Sequence, residues 1–341
     1  MVRPTIPDLA KAAGVSVSTV NRVLAGTTGV RPDKQASVQE AAERIGFYGI
    51  GAIQSRVAAN RPRLRFGILL LQPHRPFYQN VARAMREAAA TQTDAEVELR
   101  FEFLEDLSPQ NTAEVARTLA EDCQAICITS AVHPLLLQTV EEVQARGVHV
   151  FAFITQLSTT GHVHYIGLDN WKVGRTAAWI IANHCKTPGK IGILTGSHRY
   201  RNQEMKETGF RSYFRENAPA FTLLEPVATY ESTSVAQEAT EKLLRDHADL
   251  VGLYITGGDI SGTVAALRDS ASPGKMVVVG DELMAVTRAA LLDSTLTLVI
   301  SHPLERMARD LIHGMIKACT SRHGGNWTSV SPFEMHTREN I

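Results

Sequence analysis

Val17, Ser18, Asn21 and Arg22 fall at a spacing that puts them on one face of a short helix, and most are small or hydrogen-bonding. Such side chains can touch base edges and phosphates, so the chemistry they offer is recognition rather than catalysis. The neighbouring residues say what must hold them. Ile6, Leu9, Ala10 and Ala13 recur at helical spacing, and Gly14 can supply the left-handed residue that ends a first helix. Ser16 suits the N-cap of a second helix whose apolar face is Val20, Val23 and Leu24. A helix with an outward polar face just after a glycine turn is built to enter a DNA major groove. An ordinary helical hairpin is the alternative.

Other chemistry is sparse. The chain has no P-loop, no Gly-x-Gly-x-x-Gly after a strand, no Gly-x-Ser-x-Gly and no His-Glu-x-x-His, so no enzyme, cofactor or metal is expected. His162 and His164 could share one side of a strand and bind a metal, but a pair without a third ligand reads better as surface decoration. Cys123, Cys127, Cys185 and Cys319 suit no common zinc spacing and read as reduced thiols of a cytoplasmic protein. No apolar run reaches membrane-spanning length and no hydrophobic signal region opens the chain, so neither export nor a membrane partner is expected.

Charge is distributed unevenly. The 341-residue chain holds 35 basic and 35 acidic residues, yet residues 1–65 hold ten Lys or Arg against four acids. A head of +6 on a body of −6 is the pattern of a phosphate-binding module joined to something else.

Residues 30–47 read as a third helix, with Pro32 in its first turn and Val38, Ala41, Ala42 and Ile45 on one face. Leu9, Val20, Leu24, Val38 and Ile45 would then close a miniature core. After a glycine-containing link, strands and helices alternate. Strands are expected at 66–71, 97–103, 125–129, 148–154, 164–168, 190–194, 222–227, 250–255, 276–279 and 296–300. Amphipathic helices are expected at 77–90, 111–123, 134–146, 173–185, 204–217, 235–247, 261–269 and 304–320. That alternation means parallel sheets flanked by helices, and ten strands exceed one average sheet, so two lobes are expected with a ligand cleft between them.

The amino-terminal segment resembles the helix-turn-helix of the lactose-repressor/galactose-repressor (LacI/GalR) family of bacterial transcription regulators. The match falls on Thr5, Ile6, Asp8, Ala10, Ala13, Gly14, Val15, Ser16, Thr19, Val20, Arg22, Val23 and Leu24. The remainder is similar in length and layout to that family's core. The resemblance implies an all-α helix-turn-helix head over 1–48, a hinge or linker over 49–63, and an α/β two-lobed periplasmic-binding-protein-like core with parallel sheets over 64–341.

By that resemblance Val17, Ser18 and Arg22 read bases: Arg can bond guanine, Ser either kind of base edge, and Val can pack on a thymine methyl. Val17 as a core residue is the competing role. Thr5, Ser16, Thr19 and Asn21 are better placed for phosphates, with Asn21 departing from the family's usual serine. The hinge departs further. Phe47 takes the tyrosine position and Gly49 and Ile50 replace Pro-Asn. Arg56 falls where relatives wedge a leucine into the minor groove, so Arg56 itself, Val57 or Ile53 is the candidate for that contact.

For the ligand, the resemblance points to the loop after the first strand, with Phe77 or Tyr78 stacking on a sugar ring and Gln72 or His74 bonding a hydroxyl. Asp169 matches an Asp-Asn segment that opens the second lobe, where it could bind sugar hydroxyls, cap a helix, or both. Relatives grip the ligand with an arginine on the next helix, but Glu204 falls near that place while Arg201 crowds the loop before it. Gly257, Asp281, Ser301 and His302 occupy other family contact positions. The expected function is a ligand-responsive repressor of carbohydrate uptake or catabolism genes. It would bind double-stranded palindromic operator DNA as a homodimer and respond to a small effector, a sugar or polyol. Residues 329–341 carry no leucine heptad for a tetramer. A transport-type sugar-binding protein is the alternative, and it would have no use for residues 1–48.

Overall fold

The computed structural model describes residues 3–25, 30–49, 61–157, 159, 161–270, 274–321 and 327–341, apart from the Pro32 side chain. Ile53, Arg56 and Val57, the hinge candidates, lie outside the described residues. The chain divides into two compact units, Met1–Leu64 with Gln92–Val97, and Arg65–Thr91 with Glu98–Ile341.

In the first unit lie α1 (Ile6–Ala13), α2 (Val17–Ala25) and α3 (Pro32–Ile45). A reciprocal capping box starts α1: the Thr5 hydroxyl accepts from the Asp8 amide, and the Asp8 carboxylate accepts from the Thr5 amide at 2.8 Å. Those Thr5 bonds hold the Asp8 carboxyl below its usual range. Gly14, at φ 65°, ends α1 in the left-handed conformation, and the Ser16 hydroxyl accepts from the Thr19 amide at 3.2 Å to start α2. Leu9, Val20, Val38 and Phe47 are buried at the centre. Leu24 and Ile45, expected in that core, are only partly buried. The left-handed Gly46 after α3 turns the chain back, the Phe47 amide donates to Ala42 O at 2.9 Å, and the Phe47 ring fills the centre instead.

The second unit holds two sheets, apart from Arg63, Leu64, Glu96 and Val97, strand residues that fall in the first. In the first lobe, among the described residues, six strands run in the order β12-β5-β4-β3-β1-β2, where β1 is Arg63–Leu71, β2 Glu96–Leu104, β3 Ala125–Ile128, β4 His149–Phe153, β5 His164–Leu168 and β12 Thr328–Ser331. The β1/β3, β3/β4, β4/β5 and β5/β12 pairs are parallel. Its helices are α4 (Pro76–Ala90), α5 (Pro109–Leu119), α6 (Pro134–Ala145) and α12 (Leu304–Thr320), the last packed on α4. In the second lobe β13 (Glu334–His336), β11 (Leu298–Ser301), β10 (Val277–Asp281), β9 (Leu250–Ile255) and β6 (Lys190–Thr195) follow in that order. The strand expected over 222–227 is two short ones, β7 (Thr222–Leu223) and β8 (Val227–Ala228), both on β6. Pro226, which has no amide to donate, stands between them. Helices α7 (Asn170–His184), α8 (Arg201–Asn217), α9 (Thr233–Asp246), α10 (Ile260–Arg268) and α11 (Ala285–Leu292) flank this sheet.

The chain passes between lobes after β5, after β11 and after β12. The return of β12 to the first sheet and of β13 to the second, like the short α11, was not expected from the sequence. Polar Thr328–Ser331 is a weak strand signal, and its partner β5 lies some 160 residues earlier.

Two glycines decide how α7 meets α8. A Cβ on Gly174 would fall on the Lys206 carbonyl, and one on Gly209 on the Trp171 carbonyl, so the helices cross at backbone contact. His162 and His164 do not form a surface pair. His162 is exposed, whereas His164 is buried beside Phe151, its Nδ1 accepts from the Trp327 amide at 2.9 Å, and burial lowers its pKa to about 4.

Candidate functional site

The two units each carry a candidate site. On the head, Ser16, Val17, Ser18, Asn21 and Arg22 are exposed along α2, with Val17 at 42%. That exposure removes Val17 from the core, the role that competed with base contact. Thr19 is half-buried, its Oγ1 2.9 Å from Ser16 Oγ, and Thr5 is exposed at the start of α1. The apolar side of α2, Val20 and Val23, is buried in the three-helix core, so packing holds the polar side outward.

In the second unit, strand order reverses at β1 in the first sheet and between β6 and β9 in the second. Ligands of open parallel sheets bind outside the carboxyl ends of strands at such switch points. A cavity of about 180 Å³ lies there, an order of magnitude above the roughly 10–15 Å³ one water occupies on the same measure. His74, Arg75, Phe77 and Tyr78 line it from the loop and helix after β1, Tyr200, Asn202, Gln203 and Lys206 from the segment after β6, and Thr256, Gly257, Gly258 and Asp259 from the loop after β9. Glu231, Asp281, Glu282 and His302 complete the polar wall.

Of the eleven residues expected to touch ligand, the structure brings six to this cavity: His74, Phe77, Tyr78, Gly257, Asp281 and His302. Gln72 is not on its wall. Its backbone turns at φ 28°, with the amide donating to Leu104 O and the carbonyl accepting from the Arg75 amide, so it sets the direction of Arg75. Asp169 caps α7, accepting from the Lys172 amide at 3.1 Å and pairing with Lys172 Nζ at 2.9 Å, away from the cavity. Ser301 is buried, and its hydroxyl accepts from the Leu283 amide at 2.7 Å, fixing the turn that carries Glu282.

Helical phase explains Arg201 and Glu204. Asn202, Gln203, Lys206, Gly209, Phe210 and Phe214 form the buried stripe of α8, while Arg201 and Glu204 lie on its outer side and pair with each other at 2.7 Å. The cation this helix offers the cavity is therefore Lys206, two residues beyond Glu204. Projecting the period back from Phe214, Phe210 and Gly209 would have found it.

Two buried ion pairs cross the site. Lys206 Nζ donates to Asp281 Oδ2 and to Thr256 O, the latter at 3.3 Å. Arg75 Nη1 stands 3.1 Å from Glu231 Oε2, and Nη2 donates to the Glu231 carbonyl. Gln203 locks this second pair: its Oε1 accepts from the Thr195 hydroxyl and the Gly196 amide, and its Nε2 donates to Glu231 Oε1 at 3.2 Å. Gly257, at φ 155°, passes so close that a Cβ would stand 2.6 Å from Gln203 Nε2. Sequence reasoning missed Arg75, Gln203 and Glu231 because their contacts join residues far apart in the chain and leave no local pattern, and missed Lys206 by not following the helical period.

Burial pushes the Asp281 carboxyl up to about 6 against the pull of Lys206, and raises Glu231 against Arg75. Among the described residues, Asn202 Oδ1, Thr256 Oγ1, Asp281 Oδ1, His302 Nε2 and Arg75 Nε are buried without a hydrogen-bond partner. Such atoms cost about 1–3 kcal/mol each unless water or a ligand reaches them. Ile154, Glu231 and Glu282 line the same cavity with left-handed backbones at φ 68°, 56° and 65°. Non-glycine residues hold that conformation only where their surroundings impose it, and they cluster at ligand clamps.

The fold and these sites define a two-lobed ligand-binding core carrying a helix-turn-helix head. Comparison with known proteins agrees. The family model for the periplasmic binding protein domain matches residues 66–321, and that for bacterial regulatory proteins of the lacI family matches 5–49. The HTH-type transcriptional regulator GalS of Salmonella typhimurium is 24% identical over 309 residues, 89% of this chain and 87% of its own. Catabolite control protein A of Priestia megaterium is 34% identical over 85 residues, 25% of each chain. Among solved structures, a Burkholderia graminis solute-binding protein in complex with D-arabinose superposes with a TM-score of 0.75 at 17% identity, covering 81% of this chain and 96% of its own. An Actinobacillus succinogenes solute-binding protein with bound D-allose gives 0.72 at 15%, covering 82% and 98%. The chain belongs to the periplasmic-binding-protein domain family over its core and, with its head, to the LacI/GalR family of bacterial transcriptional regulators. No helix among the described residues is long and apolar enough to cross a membrane, and no group of three or more His, Cys, Asp or Glu among them could hold a metal ion.

Proposed function

We propose that this chain is a repressor that binds a palindromic operator as a homodimer and is switched by a sugar or polyol in the cleft of its core. Val17, Ser18 and Arg22 read bases, and Thr5, Ser16, Thr19 and Asn21 position the helix on phosphates. Arg56, or else Val57 or Ile53, supplies the minor-groove contact from the hinge. The ligand stacks on Phe77 or Tyr78 and bonds Asn202, Asp281 and His302. The single observation that carries the ligand reading is a cavity with aromatic side chains whose buried polar atoms lack partners, the combination a polyhydroxylated ring satisfies. Closing the lobes on it changes operator affinity, for which a coupling of ~1–3 kcal/mol, or roughly 5- to 150-fold, is enough.

A thermal-shift screen of the full chain over sugars and polyols tests this, followed by operator binding with and without each hit. A hit that raises Tm and shifts operator affinity supports the reading. A hit that leaves operator affinity unchanged sinks the switch.

A further inference from the structure

Cavity charge narrows the ligand class, an inference that rests on the sugar or polyol reading above. Among the described residues lining the cavity, four carboxylates (Glu231, Asp259, Asp281 and Glu282) face two permanent cations (Arg75 and Lys206). Counting only Asp, Glu, Lys and Arg, the wall carries a formal charge of −2.

Both cations are already committed, Arg75 to Glu231 and Lys206 to Asp281. Glu282 bonds only the ring and amide of His302, and Asp259 bonds the Thr233 hydroxyl and the Ser261 amide. Neither holds a Lys or Arg in these bonds, so each carboxylate rests on hydroxyl, amide or imidazole partners rather than on a permanent cation at hydrogen-bond distance. The cost shows in the neighbours: after burial, Glu282 adds to the rise of the Asp281 carboxyl and Asp259 to that of Glu231.

The unpartnered atoms tell the same story. Asn202 Oδ1 and Asp281 Oδ1 only accept. His302 turns Nδ1 to Glu282, which leaves Nε2 as the ring nitrogen open to a ligand. Each belongs to a residue more than nine-tenths buried. Arg75 Nε is the one purely donating atom among them. A ligand for this wall brings donors and positive charge; a phosphate or carboxylate brings neither and meets no uncommitted cation.

We propose that the cleft selects a sugar or polyol bearing a protonated amino group, held by Asp281 and Glu282, over its hydroxyl counterpart, and rejects phosphorylated and acidic sugars.

Isothermal titration of the full chain at pH 7 with matched gluco, galacto and manno pairs, each hexose against its 2-amino-2-deoxy form, tests this, with the hexose 6-phosphates and gluconate alongside. Expected is at least one pair in which the amino sugar binds tenfold or more tightly than the hexose, with no binding of the anions. Glu282→Gln should cut that ratio to threefold or less. A hexose that binds as tightly as its amino form, an anion that binds, or a ratio unmoved by Glu282→Gln overturns the amine preference while the sugar reading stands. Failure of every sugar to bind overturns both.

Discussion

Arg75 and Glu231 tie one lobe of the core to the other. The guanidinium comes from the loop after β1 and the carboxylate from the segment after β8, 3.1 Å apart, with both side chains at most 10% exposed. Breaking a buried pair from one side leaves a charge without its partner, which costs ~3–5 kcal/mol, whereas removing both halves costs far less. Glu231→Ala should therefore destabilise the protein by about that amount in urea unfolding. Arg75→Met combined with Glu231→Leu should recover most of the loss. Equal losses in the single and double variants would show that the pair adds nothing to the closed cleft.

Lys206 reaches the cavity because Gly174 lets α7 press against the backbone of its helix. Gly174→Ala forces the two helices apart at the Lys206 carbonyl. A loss of ~1–3 kcal/mol is expected from overpacking, together with weaker ligand binding as Lys206 shifts from Asp281. Ligand affinity unchanged in a destabilised variant would mean that the crossing supports the fold alone.

Asp281 should give ligand binding a defined pH dependence. Its carboxyl titrates near 6, above the ordinary ~3.9, so the folded protein holds that proton more tightly than the unfolded chain. This group's contribution to unliganded stability therefore falls as pH rises from about 4 to about 6. Ligand binding takes the opposite sign, since a donor on the ligand needs the ionised carboxylate. Affinity for a neutral sugar should hold between pH 7 and 8 and drop as pH is lowered through about 6, and Asp281→Asn should flatten that profile. Titration calorimetry across pH 5–8 reads both, and an unchanged slope in Asp281→Asn removes Asp281 from the ligand.

On the head, Arg22→Ala should relax base choice at one position of each half-site, a loss of ~1–3 kcal/mol against the preferred base. Binding-site selection with wild type and variant decides it. An unaltered consensus would move Arg22 to the phosphates.

Elements with strong local signals were legible in the sequence, as α1, α2 and most strands of both sheets show. Gly14, Ser16 and Pro32 are local punctuation, and buried parallel strands such as Lys190–Thr195 are runs of apolar residues. The site was legible in part. His74, Phe77 and Tyr78 follow directly from the end of β1, whereas Arg201 and Glu204 failed on helical phase, and Asp169 went to a helix cap.

The sequence by itself determined the DNA-binding head, the alternating α/β core and the loops from which a ligand would be held, because those properties lie within a few turns of chain. Only the tertiary structure decided which side chains face the cleft. Arg75 meets Glu231 across 156 positions of sequence and Lys206 meets Asp281 across 75; the first pair exists only once the two lobes have come together, and the second only once α8 and β10 of one lobe have folded together.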